Sequence, residues 1–181
     1  MPAAPPLRPS QFAVVLAPFV GAQFGTGVGQ SFADIGPLAI IELADGSFLV
    51  SGGGNRGELY AFDQDGGHAL APVTQLDQPI FDMALDANGS LWATSGGGAL
   101  LELDPTSFEI VNRYGDSVTQ SLAFDASTGL FYVSSGAGIE RFDPVTRSFS
   151  HFSDMRVDDL AIAPDGTLWG SRWPQRGELL T

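Results

Sequence analysis

Residues 82–98 read DMALDANGSLWATSGGG. A short apolar run, Met83 to Leu85, enters Asp86-Ala87-Asn88-Gly89, and a second run, Leu91-Trp92-Ala93-Thr94, leaves it. The Asn-Gly pair lets the chain reverse, because glycine takes positive φ without a Cβ penalty. The second run carries the aromatic and β-branched residues that suit a pleated surface. The stretch is therefore a β-hairpin, and the glycines after it open a loop to a further strand, LLELD at 100–104.

This hairpin recurs. PLAIIELADGSFLVSGGG from Pro37, SLAFDASTGLFYVSSGAG from Ser121 and DLAIAPDGTLWGSRW from Asp159 align with it on the turn glycines Gly46, Gly89, Gly129 and Gly166. The period is about forty residues with several strands in each, which signals a propeller blade. Third strands follow as ELYAFD (58–63), LLELD (100–104), IERFD (139–143) and ELLT (178–181). A second turn, DQDGG, DPTS or DPVTR, precedes a more polar outer strand, HALAPVTQL, FEIVNRYG or SFSHFS. Proline fits such a turn because it presets φ where no ladder bond is needed. A polar outer strand suits an edge that must not recruit other chains.

The predicted fold is all-β: a β-propeller of about four antiparallel, four-stranded blades. A flexible segment, 1–10, precedes a propeller domain over 11–181, with repeats at about 36–76, 77–117, 118–156 and 157–181. The fourth repeat reaches Thr181 in its third strand. Either the β-like segment within 11–20 supplies the missing outer strand and closes the ring, or the chain belongs to a larger propeller.

The "DG-x-LW" element (Asp165-Gly166-Thr167-Leu168-Trp169, and Asn88-Gly89-Ser90-Leu91-Trp92) carries a resemblance, together with the strand ends Phe142-Asp143-Pro144 and Leu103-Asp104-Pro105. These units resemble NHL-like, gluconolactonase-like and streptogramin-lyase-like propellers over about residues 30 to 181. The resemblance implies the fold; such blades serve lyases, lactonases, receptors and scaffolds alike. For the enzymes it implies a site at the top of the channel, often with a divalent ion, and in the lyases a histidine base. Only His68 and His151 are present, and the repeat assigns both to the outer parts of their blades.

Composition narrows the partners. The chain of 181 residues carries 21 Asp and Glu against 8 Lys and Arg, a net charge of −13, and every base is arginine. That charge repels phosphate backbones and anionic membrane surfaces, so neither nucleic acid nor a membrane is an expected partner. Zero cysteines exclude disulfides, thiol catalysis and cysteine zinc sites. The apolar stretch Ala13 to Ala22 is short, holds Pro18, and predicts no membrane-spanning helix. This composition suits a bacterial extracellular or cell-envelope protein.

Two groups of residues are candidates for function, both on the top face where inner strands begin and second-to-third loops open. Asp82, Asp158 and Asp159, with Gln120, fall at the starts of inner strands, and a ring of such oxygens suits a hard cation such as calcium. The alternative is that these carboxylates are simply solvated at the channel mouth, with no cofactor. Asn55, Arg56, Arg172, Trp173, Gln175 and Arg176 crowd the loops, and arginine with tryptophan suits a carboxylate, a saccharide or a protein hot spot. In the plainer reading Trp173 packs on a blade while the arginines pair with Glu58 and Glu178. The triple glycines are no phosphate loop, since strands and not helices follow. Asp63-Gln64-Asp65-Gly66 lacks the acidic spacing and late glutamate of a calcium loop and reads as a turn.

The sequence thus predicts a non-catalytic propeller that binds a protein or saccharide through its top loops. The alternative is a metal-assisted lactonase or lyase-like enzyme.

Overall fold

The computed structural model describes residues 17–31, 35–53 and 56–172. Among them every regular element is a strand. The first repeat is a sheet of β2 (Ile40–Glu42), β3 (Phe48–Ser51), β4 (Glu58–Phe62) and β6 (Thr74–Gln75), paired antiparallel in that order. The second and third repeats form one seven-stranded sheet. It holds β7 (Asp82–Leu85), β8 (Leu91–Thr94), β9 (Gly98–Leu103), β10 (Ile110–Asp125), β11 (Leu130–Ser135), β12 (Gly138–Asp143) and β13 (Ser148–Ser153). The fourth repeat contributes β14 (Asp159–Ile162) and β15 (Leu168–Ser171).

The join between the second and third repeats lies inside β10. Its first part pairs with β9 from Ile110 to Tyr114, and its last part pairs with β11 from Leu122 to Asp125. Register shifts on either side of Val118 mark the corner where an outer strand becomes the next inner one. Two blades therefore share one continuous strand.

Each hairpin turn is made in the same way. Gly46, Gly89, Gly129 and Gly166 all take positive φ, between 73° and 83°. The aspartate in the turn accepts backbone amides: Asp45 from Ser47, Asp86 from Asn88 and Ser90, Asp125 from Ser127, and Asp165 from Thr167. Hydrogen bonds from Ser47, from Ser127 and Thr128, and from Thr167 hold the carboxyls of Asp45, Asp125 and Asp165 below the ordinary range. The second turns repeat the device, with Asp104 accepting from Thr106 and Ser107, and Asp143 from Val145 and Thr146.

The core lies between blades. Counted from the turn glycine, the residues two and four places on face the preceding repeat, and the residue three places on faces the following one. Leu91 and Ala93 pack with Leu49 in the first junction. Phe131 and Val133 pack with Trp92 in the second, and Leu168 packs with Tyr132 in the third. Trp92 is 2% exposed, its ring 5.4 Å from Phe131 and 5.2 Å from Phe142. Its indole N–H donates to Asp86, so the polar edge of a buried ring is satisfied.

The N-terminal part lies against the first repeat. β1 (Gly25–Thr26) pairs parallel with β5 (Gly67–His68), and Phe24 sits 5.1 Å from Phe48 and 5.8 Å from Phe62. Within the segment considered for closure, residues 11–16 lie outside the described residues, and residues 17–20 form no strand. The third strand expected at 178–181 also lies outside them. No sheet closes on itself among the described residues. No helix among them is long and apolar enough to cross a membrane.

Candidate functional site

The starts of the inner strands of three consecutive repeats meet at one end of the molecule. Asp82, Ser121 and Asp159 begin or line these strands at equivalent positions, and a continuous hydrogen-bond row joins them. Ser121 Oγ is 3.0 Å from Asp82 Oδ2 and 3.0 Å from Asp159 Oδ1. The Leu122 amide donates to Asp82 Oδ2 at 2.9 Å, and the Leu160 amide donates to Ser121 Oγ at 2.9 Å. Asp82 and Ser121 thus each cap an amide of the next repeat, whereas Asp159 accepts the Leu160 amide of its own. Burial pushes the Asp82 carboxyl up to about 6, and the neighbouring charge of Asp159 adds to the rise, against the lowering effect of its hydrogen-bond donors.

Hydroxyls at the ends of the second strands support this row. Ser134 Oγ accepts from the amides of Gln120 and Ser121, Thr94 Oγ1 donates to the Gln120 carbonyl, and Ser51 Oγ accepts from the Ala39 amide. All three lie five places beyond their turn glycine, so one repeat position fixes the height at which inner strands begin. Gln120 is exposed beside them. Ser95 Oγ, buried in the adjoining loop, is a hydroxyl without a hydrogen-bond partner.

The residues singled out from the sequence divide into three sets. Asn55, Trp173, Gln175 and Arg176 lie outside the described residues. Arg56 is held by an ion pair and a second hydrogen bond to Glu58, which raises its already high pKa, so its guanidinium is engaged within its own loop. Arg172 is exposed directly after Ser171, whose carbonyl accepts the Asp158 amide at 2.8 Å. That register brings Arg172 to the same end as the Asp82–Ser121–Asp159 row.

Of the three aspartates considered for a cation, Asp82 and Asp159 converge on Ser121 and Asp158 is half-buried next to them. The Asp82 oxygens already receive the Met83 and Leu122 amides and face the Ser121 hydroxyl. Among the described residues no three acidic or histidine side chains gather where they could hold a metal ion. Ser121 was missed as a functional residue, although its column in the repeat alignment is that of Asp82 and Asp159.

The histidines are elsewhere. His68 lies in β5, 3.0 Å from Thr26 Oγ1. His151 lies in outer strand β13 between Glu140 and Asp154, at 2.9 and 3.0 Å, and these hydrogen bonds raise its pKa. On the opposite face a cleft of about 670 Å³ is lined by the turns, including Asp45, Asp63, His68 and Thr106.

No family model and no curated protein matches the chain. Solved structures do. Virginiamycin B lyase from Staphylococcus aureus superposes with a TM-score of 0.57 at 15% identity, over 76% of this chain and 49% of the lyase. The extracellular domain of a putative hybrid two-component system from B. thetaiotaomicron superposes with a TM-score of 0.54 at 15% identity, over 75% of this chain and 22% of that one. The chain thus spans about half the length of the first and less than a quarter of the second. With the repeat, the antiparallel sheets and the blade-to-blade core, this likeness identifies the chain as a β-propeller fold.

Proposed function

We propose that this chain is a non-catalytic β-propeller binding domain that takes a protein or saccharide ligand on its top face, at the end of the Asp82–Ser121–Asp159 row. The observation that carries the reading is the distribution of polar groups. The axial end offers exposed Gln120, Asp159 and Arg172 on a hydrogen-bonded frame, whereas both histidines are tied to outer elements. A rigid frame with exposed amide, carboxylate and guanidinium groups suits recognition of hydroxyl-rich or polar surfaces. Asn55, Trp173, Gln175 and Arg176, outside the described residues, are proposed as further ligand contacts. An extracellular or cell-envelope setting in bacteria fits the acidic composition and the extracellular origin of one structural neighbour.

The test is a glycan array and a peptide array probed with the purified domain, repeated with Arg172→Ala and Trp173→Ala. Loss of the wild-type hits in both variants is expected. Hits unchanged in both would overturn the reading.

A lactonase or lyase-like activity is the second reading, favoured by the meeting of Asp82 and Asp159 at one hydroxyl. It requires stoichiometric calcium binding by calorimetry that Asp82→Ala abolishes. Calorimetry without heat of binding removes it.

A further inference from the structure

On the face opposite the axial row, the turns of the first two repeats enclose a cleft of about 670 Å³, a size typical of small-ligand sites. Its origin lies in the outer strand of the first repeat. In the second repeat, β10 accompanies β9 as far as the Ile110–Leu103 pair, beside the second turn. In the first repeat only Glu58 and Leu59 of β4 find partners in β6, because β5 pairs with β1 instead. Ala61 and Phe62 therefore have no pairing strand on their outer side, and the short Ala61 side chain leaves the space open.

The same place in the next junction is filled by the protein itself. The second turn of the second repeat ends at Phe108, and that of the third repeat ends at Arg147. Both residues take positive φ, 60° and 57°, and both amides donate to the carbonyl of the aspartate that opens the turn, Asp104 and Asp143. Arg147 reaches back over the second repeat, where its guanidinium lies 5.8 Å from the centre of the Tyr114 ring and 4.0 Å from Glu102. Glu102 holds in β9 the place of Ala61 in β4, since they pair with Trp92 and Leu49, each three past its turn glycine. A cation on an aromatic face beside a carboxylate thus closes the junction of the second and third repeats.

In the first junction the walls are of the same kind, but the cation is missing. Phe108, Leu43 and Leu85 supply aromatic and apolar surface, and Asp45 and Asp63 stand exposed at the rim. No arginine is among the described residues that line the cleft, and among the described residues neither aspartate forms an ion pair. The Ser47 bonds to Asp45 fall on Oδ1 and keep that carboxyl ionised. His68 also lines the cleft, with Nδ1 3.0 Å from Thr26 Oγ1.

We propose that this cleft binds a small organic cation, an ammonium group on an aromatic or apolar body, in the place that Arg147 takes in the next junction. The ammonium faces Asp45 and Asp63, and the body lies on Phe108 between Leu43 and Leu85. Charge complementarity selects this occupant: apolar walls under ionised, unpaired carboxylates favour a cation that carries its own apolar surface. The site is separate from the axial end and takes a ligand of different chemistry.

The experiment follows backbone amides of the isotope-labelled full chain by NMR during titration with phenethylammonium. Phenethyl alcohol, which has the same body without the charge, is titrated in parallel. The cation should give saturable shifts confined to 43–47, 61–68, 85–89 and 105–108, and the alcohol should bind about tenfold or more weakly. Asp63→Asn should weaken the cation about threefold or more, whereas Asp116→Asn, the same change of charge at the exposed corner of β10, should leave it unaltered. Phe108→Arg installs the arrangement of the third repeat and should abolish binding, with circular dichroism to confirm its fold. Asp63 is exposed, so its variant decides the matter whether or not Phe108→Arg folds. No saturable shift, shifts spread over both faces, equal affinity for the alcohol, or wild-type affinity in Asp63→Asn or in folded Phe108→Arg would each overturn the proposal.

Discussion

Ser121 Oγ lies 3.0 Å from Asp82 Oδ2, and its one proton is also the proton that faces Asp159, 3.0 Å away on the other side. The same oxygen accepts the Leu160 amide. With both carboxylates ionised, the hydroxyl can donate to only one, and the other contact sets lone pair against lone pair. The Asp82 pKa is raised first by burial and also by the charge of Asp159, while the Ser121 hydrogen bond lowers it.

Stability should therefore fall as pH rises through the Asp82 transition. The folded carboxyl titrates at about 6 against an ordinary value of 3.8, so the folded state holds the proton more tightly. The contribution is fully present below pH 3.8 and is lost as pH rises through about 6. Its size is on the order of 3 kcal/mol. Urea denaturation at a series of pH values should show this slope in the wild type and not in Asp82→Asn.

Ser121→Ala should cost about 1–3 kcal/mol, the range for leaving buried polar groups unpaired. The Ser121 bond is one of the contacts that lower the Asp82 pKa, so its removal should move the Asp82 titration further upward. Urea midpoints measure the first effect, and carboxyl NMR titration measures the second.

Trp92 and Trp169 hold equivalent repeat positions in opposite environments. Trp92→Ala should destabilise the chain by about 3–5 kcal/mol, the cost of emptying a buried aromatic site. Trp169→Ala should change stability by no more than about 0.5 kcal/mol, since that ring is 65% exposed. Equal effects at the two sites would contradict the blade frame.

The repeat was legible because its punctuation is local. An aspartate or asparagine, a glycine and a following aromatic strand specify a hairpin without reference to the rest of the chain, and the observed turns use those residues. SFSHFS was read as an outer strand and is β13. The continuity of β10 across two blades was not legible, since its corner at Gly115–Ser117 looks like an ordinary loop in sequence. The parallel pairing of Gly25 with Gly67 depends on contacts across forty residues and leaves no periodic trace. In the site, the aspartate column was visible, but the hydroxyl joining it was not, because a serine in one repeat signals nothing until its neighbours in space are known. Arg56 was grouped with the ligand-binding loops, and the carboxylate two residues away, Glu58, holds it.

The central claim, that the axial end of the inner strands is the binding face, is tested most directly by hydrogen–deuterium exchange on the domain with and without a ligand taken from the arrays. The account predicts that added protection falls on 119–122, 158–160 and 170–172. Protection confined to the turns at 43–47, 86–89 and 104–108, on the opposite face, would contradict it.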